Sequence, residues 1–180
     1  IERQGKGLLA LINQLLDISK VKSAVGRPDW KNGNIVAFLT MIVEGYHDYA
    51  RSHNIDLQMF AEGEIVMDFI PDYVVKVMNN LLSNSFKFTP AYGKIRILVK
   101  RVDEQLHIAV SDTGKGISKE TLQHVFEPFY QDENNTQHVG SGVGLALVEQ
   151  IIRAVNGSIT VDSELGKGTT FHISLPVSNR

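Results

Sequence analysis

Residues 79–90, NNLLSNSFKFTP, carry a helical pattern in residues that a helix does not favour. Val74, Val77, Met78, Leu81, Leu82 and Ser85 recur at helical spacing and form an apolar or small stripe through this stretch. Asn80 and Asn84 sit one turn apart beside the stripe, and Lys87 lies three residues further along the same strip. An asparagine costs a helix interior about half a kcal/mol relative to alanine. Two of them in register, followed by a lysine, point to a strip that serves something outside the helix.

Working outward, Pro71 is placed to open this helix, because its fixed φ suits a first turn. Before it, IDLQMF and EIVMDF read as two short strands, and IVAFLTMIVEGYHDYARSH (35–53) as a helix. After it, KIRILVKR and QLHIAVSD alternate with period two and form a hairpin that turns near Val102 to Glu104. A further helix runs from about Gly142 to Val155, and GSITVDSE with GTTFHISLP closes the chain as a second hairpin around LGKG. This order predicts an α/β fold, a two-layer sandwich in which one mixed sheet carries helices on one face. At the other end, GLLALINQLLDISKVKSA gives a strongly amphipathic helix whose Leu8, Ile12, Leu15 and Ser19 form a seam in want of a partner. VGRPDWKNGN, with Gly26, Pro28 and Gly33, marks a boundary after it. The start at Ile1, which leads almost at once into that helix, suggests a piece of a longer protein.

A chain of 180 residues with 43% hydrophobic content holds enough apolar material for one good core. It has no cysteine, which excludes disulfides, thiol nucleophiles and thiolate metal sites. A formal net charge of -2 gives no reason to expect a nucleic-acid surface. The longest predominantly apolar run, Ile35 to Val43, falls far short of the roughly 20 residues needed to cross a bilayer.

Three stretches carry chemistry. In QLHIAVSDTGKGI, Leu106, Ile108 and Val110 make the inward set of a strand, and the same period carries Asp112 towards the core. A buried carboxylate needs a donor. Gly114 and Gly116 then let the backbone turn and approach a flat ligand, although an Asp that caps the turn before a helix start at Ser118 accounts for Asp112 and one glycine about as well. In VGSGVGLALVEQII, Gly140, Gly142 and Gly144 lead into a helix start, where backbone N–H groups and the dipole favour phosphate. A flexible linker explains those glycines comparably, and the spacing fits neither a Rossmann fingerprint nor a P-loop. In GKGTTFHISLP, Thr169 shares the inward face with Phe171, Ile173 and Leu175, and with Asp112 it offers two polar groups at an apolar wall. The histidines, at 47, 53, 107, 124, 138 and 172, form no metal-ligand cluster by spacing, and no Ser, His and Asp set stands out as a nucleophilic triad.

Taken in order, the amphipathic helix, Asn80-x-x-x-Asn84-x-x-Lys87, Asp112-x-Gly114-x-Gly116, FEPFY, Gly140-x-Gly142-x-Gly144-Leu145 and Gly166-x-Gly168-Thr169 resemble one family across essentially the whole chain. It is the catalytic, ATP-binding domain of sensor histidine kinases, on the Bergerat (GHKL) fold shared with DNA gyrase, MutL and heat-shock chaperone ATPases. The resemblance implies that residues 1–24 are the second helix of a dimerisation and phosphotransfer hairpin and that residues 25–180 are the ATP-binding domain. It also implies ATP and Mg2+ as cofactors, with Asn84 as the magnesium ligand, Asn80 and Lys87 acting at the phosphates, and Phe88 beside the base. Asp112 would accept from the adenine amino group, with Gly114, Gly116, Ile117 and Thr169 around it. Phe126 and Phe129 resemble anchors of an ATP lid, and Gly140, Gly142, Gly144 and Leu145 its phosphate-side hinge.

Position 80 bears on the reaction. ATPases of this fold generally place a glutamate there to activate water, whereas Asn80 takes no proton at neutral pH. The resemblance therefore implies transfer of the γ-phosphoryl group to a histidine, and then relay to a response-regulator aspartate, with poor hydrolysis. It implies a homodimer, partners in a phosphoacceptor hairpin and a receiver domain, no nucleic acid, no membrane contact by this segment, and a cytoplasmic location. None of the six histidines lies in the family's acceptor motif, and Gln131 stands where many members carry arginine. An ATP hydrolase driving a clamp, or a non-catalytic docking module, are the rival readings.

Overall fold

The computed structural model describes residues 2–23, 28–130 and 143–179. The helix that contains the opening stretch, α4 (Pro71–Phe88), starts on its proline and runs for 18 residues, burying Val77, Met78, Leu81, Leu82, Ser85 and Phe86. Each large apolar side chain buried there contributes roughly 1.5–3 kcal/mol, which outweighs the propensity cost of the two asparagines several times over.

The element order is α1 (Glu2–Ser23), β1 (Lys31–Asn34), α2 (Ile35–Glu44), α3 (His47–Ser52), β2 (Asp56–Ala61), β3 (Val66–Phe69), α4, β4 (Lys94–Val102), β5 (Gln105–Asp112), α5 (Lys119–Leu122), α6 (Gly144–Ala154), β6 (Ser158–Glu164) and β7 (Gly168–Pro176). A five-stranded mixed sheet has the order β2-β4-β5-β7-β6. Strands β2 and β4 run parallel and the remaining pairs antiparallel. Its inner face, with Ile95, Ile97, Leu106, Val110, Phe171 and Ile173, meets Met78, Leu81 and Leu82 of α4 and Leu147, Ile151 and Ile152 of α6 in one core. On the outer face Ser111 and Thr170 share a 2.6 Å hydroxyl contact and His172 is exposed. The result is the expected two-layer α/β sandwich, with the alternation assigned to β5 and β7 realised as read.

Two local expectations need correction. The 35–53 segment is two helices, because Gly45 closes α2 with its N–H on the Ile42 carbonyl. Tyr46 then turns inward to stack on Phe86 at 5.8 Å and to donate to Asn79 at 2.7 Å. Asn34 caps α2, its side chain accepting from the Val36 and Ala37 N–H groups. The strands are not all in one sheet, since β3 leaves the main sheet and pairs with β1, a strand that lies in the segment read as a boundary.

Helix α1 presents two faces. Leu8, Leu9, Ile12 and Leu16 are exposed, at 44–59%. On the other side Asp17 meets Lys76 at 3.2 Å, Gln14 donates to Asn80 at 3.3 Å, and Ile18 and Val21 pack on the core. Among the described residues no helix is long and apolar enough to cross a membrane.

Candidate nucleotide site

Strands β5 and β7 end together, and their register sets Asp112 directly opposite Thr169, with Ile95 of β4 on the other side. The carboxylate Oδ1 accepts from the Gly114 N–H at 2.9 Å, so the capping role considered from the sequence is real and coexists with an inward carboxylate. Burial pushes the Asp112 carboxyl above the usual carboxylate range, and donation from the Gly114 and Thr169 backbones, with the Ser85 hydroxyl close by but short of a hydrogen bond, offsets this only in part. Ser85 is 1% exposed and Thr89, one turn later, is 5% exposed; among the described residues neither hydroxyl completes a hydrogen bond. An unpaired buried hydroxyl costs roughly 1–3 kcal/mol, which suits a pocket that receives the polar edge of a ligand.

The loop after Asp112 is pinned from β6 and β7. Ser163 Oγ accepts from the Ile117 N–H at 2.8 Å, donates to the Gly168 carbonyl at 2.9 Å and contacts the Thr169 hydroxyl at 2.8 Å. The Gly166 N–H donates to the Lys115 carbonyl at 2.8 Å. Gly116 is required here, because its φ is +75° and a Cβ would run into the Glu164 carbonyl.

The end of α4 lines this pocket. The Phe88 carbonyl accepts from the Lys115 N–H at 3.3 Å, and the Phe88 ring lies under two ammonium groups, Lys115 at 4.9 Å and Lys87 at 5.6 Å from its centroid. Burial, and then the Lys115 charge, lower the Lys87 pKa. Asn84 is half-buried, and among the described residues its amide makes no hydrogen bond. Asn80 is engaged, donating to the Lys76 carbonyl at 2.6 Å and accepting from Gln14. It also fits closely against the start of α6, where a Cβ on Gly144 would stand 2.6 Å from Asn80 Oδ1. Val143, before that helix, makes no side-chain cap, so the first-turn N–H groups and the positive end of α6 sit next to Asn80.

Of the residues singled out from sequence, Asp112 and Thr169 lie side by side, Ile117 is tied to Thr169 through Ser163, and Phe88 meets the same loop through Lys115 and carries Lys87 over its ring, while Asn80 meets Gly144 at the start of α6. Leu145 packs partly on the core. Phe126 packs edge-on against Phe171 at 6.5 Å, whereas Phe129 is 55% exposed with φ +65°. Gly140, Gly142 and Gln131 lie outside the described residues. Ser85, Lys115 and Ser163 were not anticipated; the small Ser85 in the apolar stripe was the one signal available for them. An apolar cavity of about 40 Å³ lies elsewhere, lined by Tyr73 at the start of α4 with Ile108 and Ile152, and it lacks the charge that a nucleotide needs.

For a divalent cation, the described residues contain no group of three or more His, Asp or Glu. One unengaged amide oxygen on Asn84 fits a hard ion that takes most of its ligands from phosphate and water.

A two-layer sandwich with a carboxylate at the end of β5 and an Asn-x-x-x-Asn strip on the covering helix matches an ATP-binding domain of the histidine-kinase type. Residues 70–179 match the family model described as histidine kinase-, DNA gyrase B- and HSP90-like ATPase, and the chain belongs to that family. It is 32% identical over 180 residues to the sensor histidine kinase RppB of Synechocystis, covering 98% of this chain and 40% of that protein. The chain thus spans less than half the length of this relative. Full-length ShkA in complex with AMPPNP has the same fold, with a TM-score of 0.86 at 24% identity over 99% of this chain and 37% of that one. So does ThkA in complex with the response regulator TrrA, with a TM-score of 0.79 at 18% identity over 98% of this chain and 49% of that one.

Proposed function

We propose that this domain binds Mg-ATP and gives its γ-phosphoryl group to a histidine on a phosphotransfer helix outside this chain. The observation that carries the reading is Asp112 set opposite Thr169 at the end of β5, beside the Asn84, Lys87 and Phe88 strip of α4. Asp112 accepts from the adenine amino group, and Phe88 lies along the base. Lys87, the Asn80 amide and the start of α6 face the phosphates. Asn84 holds the magnesium ion, which supplies charge neutralisation on the phosphate oxygens when bound.

The acceptor imidazole forms the new N–P bond as the bond from phosphorus to the β–γ bridging oxygen breaks, and ADP leaves with that electron pair. Transfer of this kind needs alignment and charge stabilisation more than a strong base. Asn80 offers no base for water, which supports transfer over hydrolysis. The phosphoryl group then passes to a receiver aspartate, as the pairing of ThkA with a response regulator suggests. The apolar side of α1 takes the second-helix place in a homodimeric four-helix bundle in the cytoplasm.

Steady-state phosphate release separates this from a hydrolase. With ATP and Mg2+ bound, release of well under one phosphate per minute is expected; sustained turnover many times faster would assign the site to a hydrolase.

A further inference from the structure

The turn between Asp112 and Ser118 places one long side chain at the mouth of the pocket. Gly114 and Gly116 are both buried and leave no room for side chains of their own, and Lys115 between them is exposed and carries the charge of this turn. Its ammonium group stands 4.9 Å from the Phe88 ring centroid, and the Lys87 ammonium stands 5.6 Å from the same ring. A ring face attracts one cation by about 0.5–1 kcal/mol at an exposed site, and bringing a second ammonium to the same ring opposes that gain. Surface lysines that converge are normally interleaved with carboxylates. Here, among the described residues, neither Lys87 nor Lys115 makes an ion pair, and, unlike other unpaired lysines such as Lys94 and Lys100, the two meet over one ring. Two positive charges are held together by elements far apart in sequence, the last turn of α4 and the β5–α5 loop, with no anion of the described chain between them.

We propose that Lys115 is a second phosphate-binding residue, which closes with Lys87 across Phe88 as a two-lysine clamp on the polyphosphate chain of the nucleotide. The proposal rests on the nucleotide reading above and adds a source of discrimination to it. Asp112 and Thr169 recognise a base that ATP, ADP and adenosine share, whereas the lysine pair reads the number of phosphate charges. The site then favours the triphosphate over the diphosphate before transfer, and ADP leaves more readily after it. Neither ammonium group is paired with a carboxylate among the described residues, so none has to be displaced for the phosphates to bind.

The test compares wild type with Lys115→Gln and Lys115→Arg, measuring the affinities of ATP, ADP and adenosine with Mg2+ by calorimetry or competition. Lys115→Gln should weaken ATP roughly tenfold and ADP less, leave adenosine within about twofold, and flatten the salt dependence of ATP binding, with Lys115→Arg restoring most of the loss. Lys115 is exposed, so the variants should melt with wild type. Unchanged ATP affinity in Lys115→Gln would overturn the clamp. So would an equal loss for ATP and adenosine, which would show that Lys115 only props Phe88. A wild-type chain that binds adenosine and ATP equally well would overturn the clamp but leave the base site standing. One that binds no adenine compound would overturn the nucleotide reading itself.

Discussion

Asp112 shows how one residue trades stability for recognition. Burial raises its pKa, so the folded chain takes up that proton more readily than the unfolded one. The sign follows from linkage: the ionised carboxylate costs folding free energy above its folded pKa, and the cost fades as pH falls through that value towards the unfolded one. Asp112→Asn should therefore melt at the same temperature as wild type or higher at neutral pH, while ATP affinity drops roughly tenfold through loss of a charged acceptor. ATP affinity in the wild type should also fall with pH earlier than an ordinary carboxylate predicts, and Asp112→Asn should lack that acid limb. A variant that lost stability and kept its affinity would assign Asp112 to the turn alone. Period two made this residue legible, because β5 and β7 alternate without a bulge as far as Asp112 and Thr169. Ser85 was harder to read, since a serine in a buried stripe is compatible with simple small-residue packing. Lys115 was illegible, because its meaning lies in a ring 27 positions earlier.

Among the elements, those defined by local signals were legible and those defined by pairing were not. Pro71 and the six-position stripe locate α4, and two runs of alternation locate each hairpin. The β1–β3 pair has no such signal: KNGN looks like a turn until VMDF lies beside it, and only long-range pairing makes it a strand. The break between α2 and α3 was hidden because a lone Gly45 after the apolar run to Val43 is compatible with a continuous helix, and Tyr46 resolves it by packing on Phe86. Helix α1 belongs to both cases. Its apolar seam was evident, but its polar side docks on α4 through the Asp17–Lys76 ion pair, where burial lowers the Lys76 pKa and the hydrogen bonds that it donates to Asp72 and Asp17 outweigh this and raise it. The exposed Leu8, Leu9, Ile12 and Leu16 should drive self-association. Ile12→Glu combined with Leu16→Glu should shift a concentration-dependent dimer to monomer in sedimentation without lowering the melting temperature. A wild-type chain that stays monomeric at high concentration would contradict the bundle role.

At the scale of the molecule, the sheet and its covering helices bring Asp112, Thr169 and the last turn of α4 to one end, and the proposed chemistry draws on α4, the Asp112 loop and the start of α6. The same architecture serves hydrolases and kinases, so the fold does not choose between them. The choice rests on Asn80, visible in the sequence; that none of the six histidines lies in the family's acceptor motif bears only on where the acceptor is. The most direct measurement mixes this chain with γ-labelled ATP, Mg2+ and a separate hairpin that carries the family's acceptor histidine. Label should appear on the hairpin in acid-labile, base-stable form and be lost when that histidine is replaced. ATP binding with no label on the hairpin would contradict the kinase assignment.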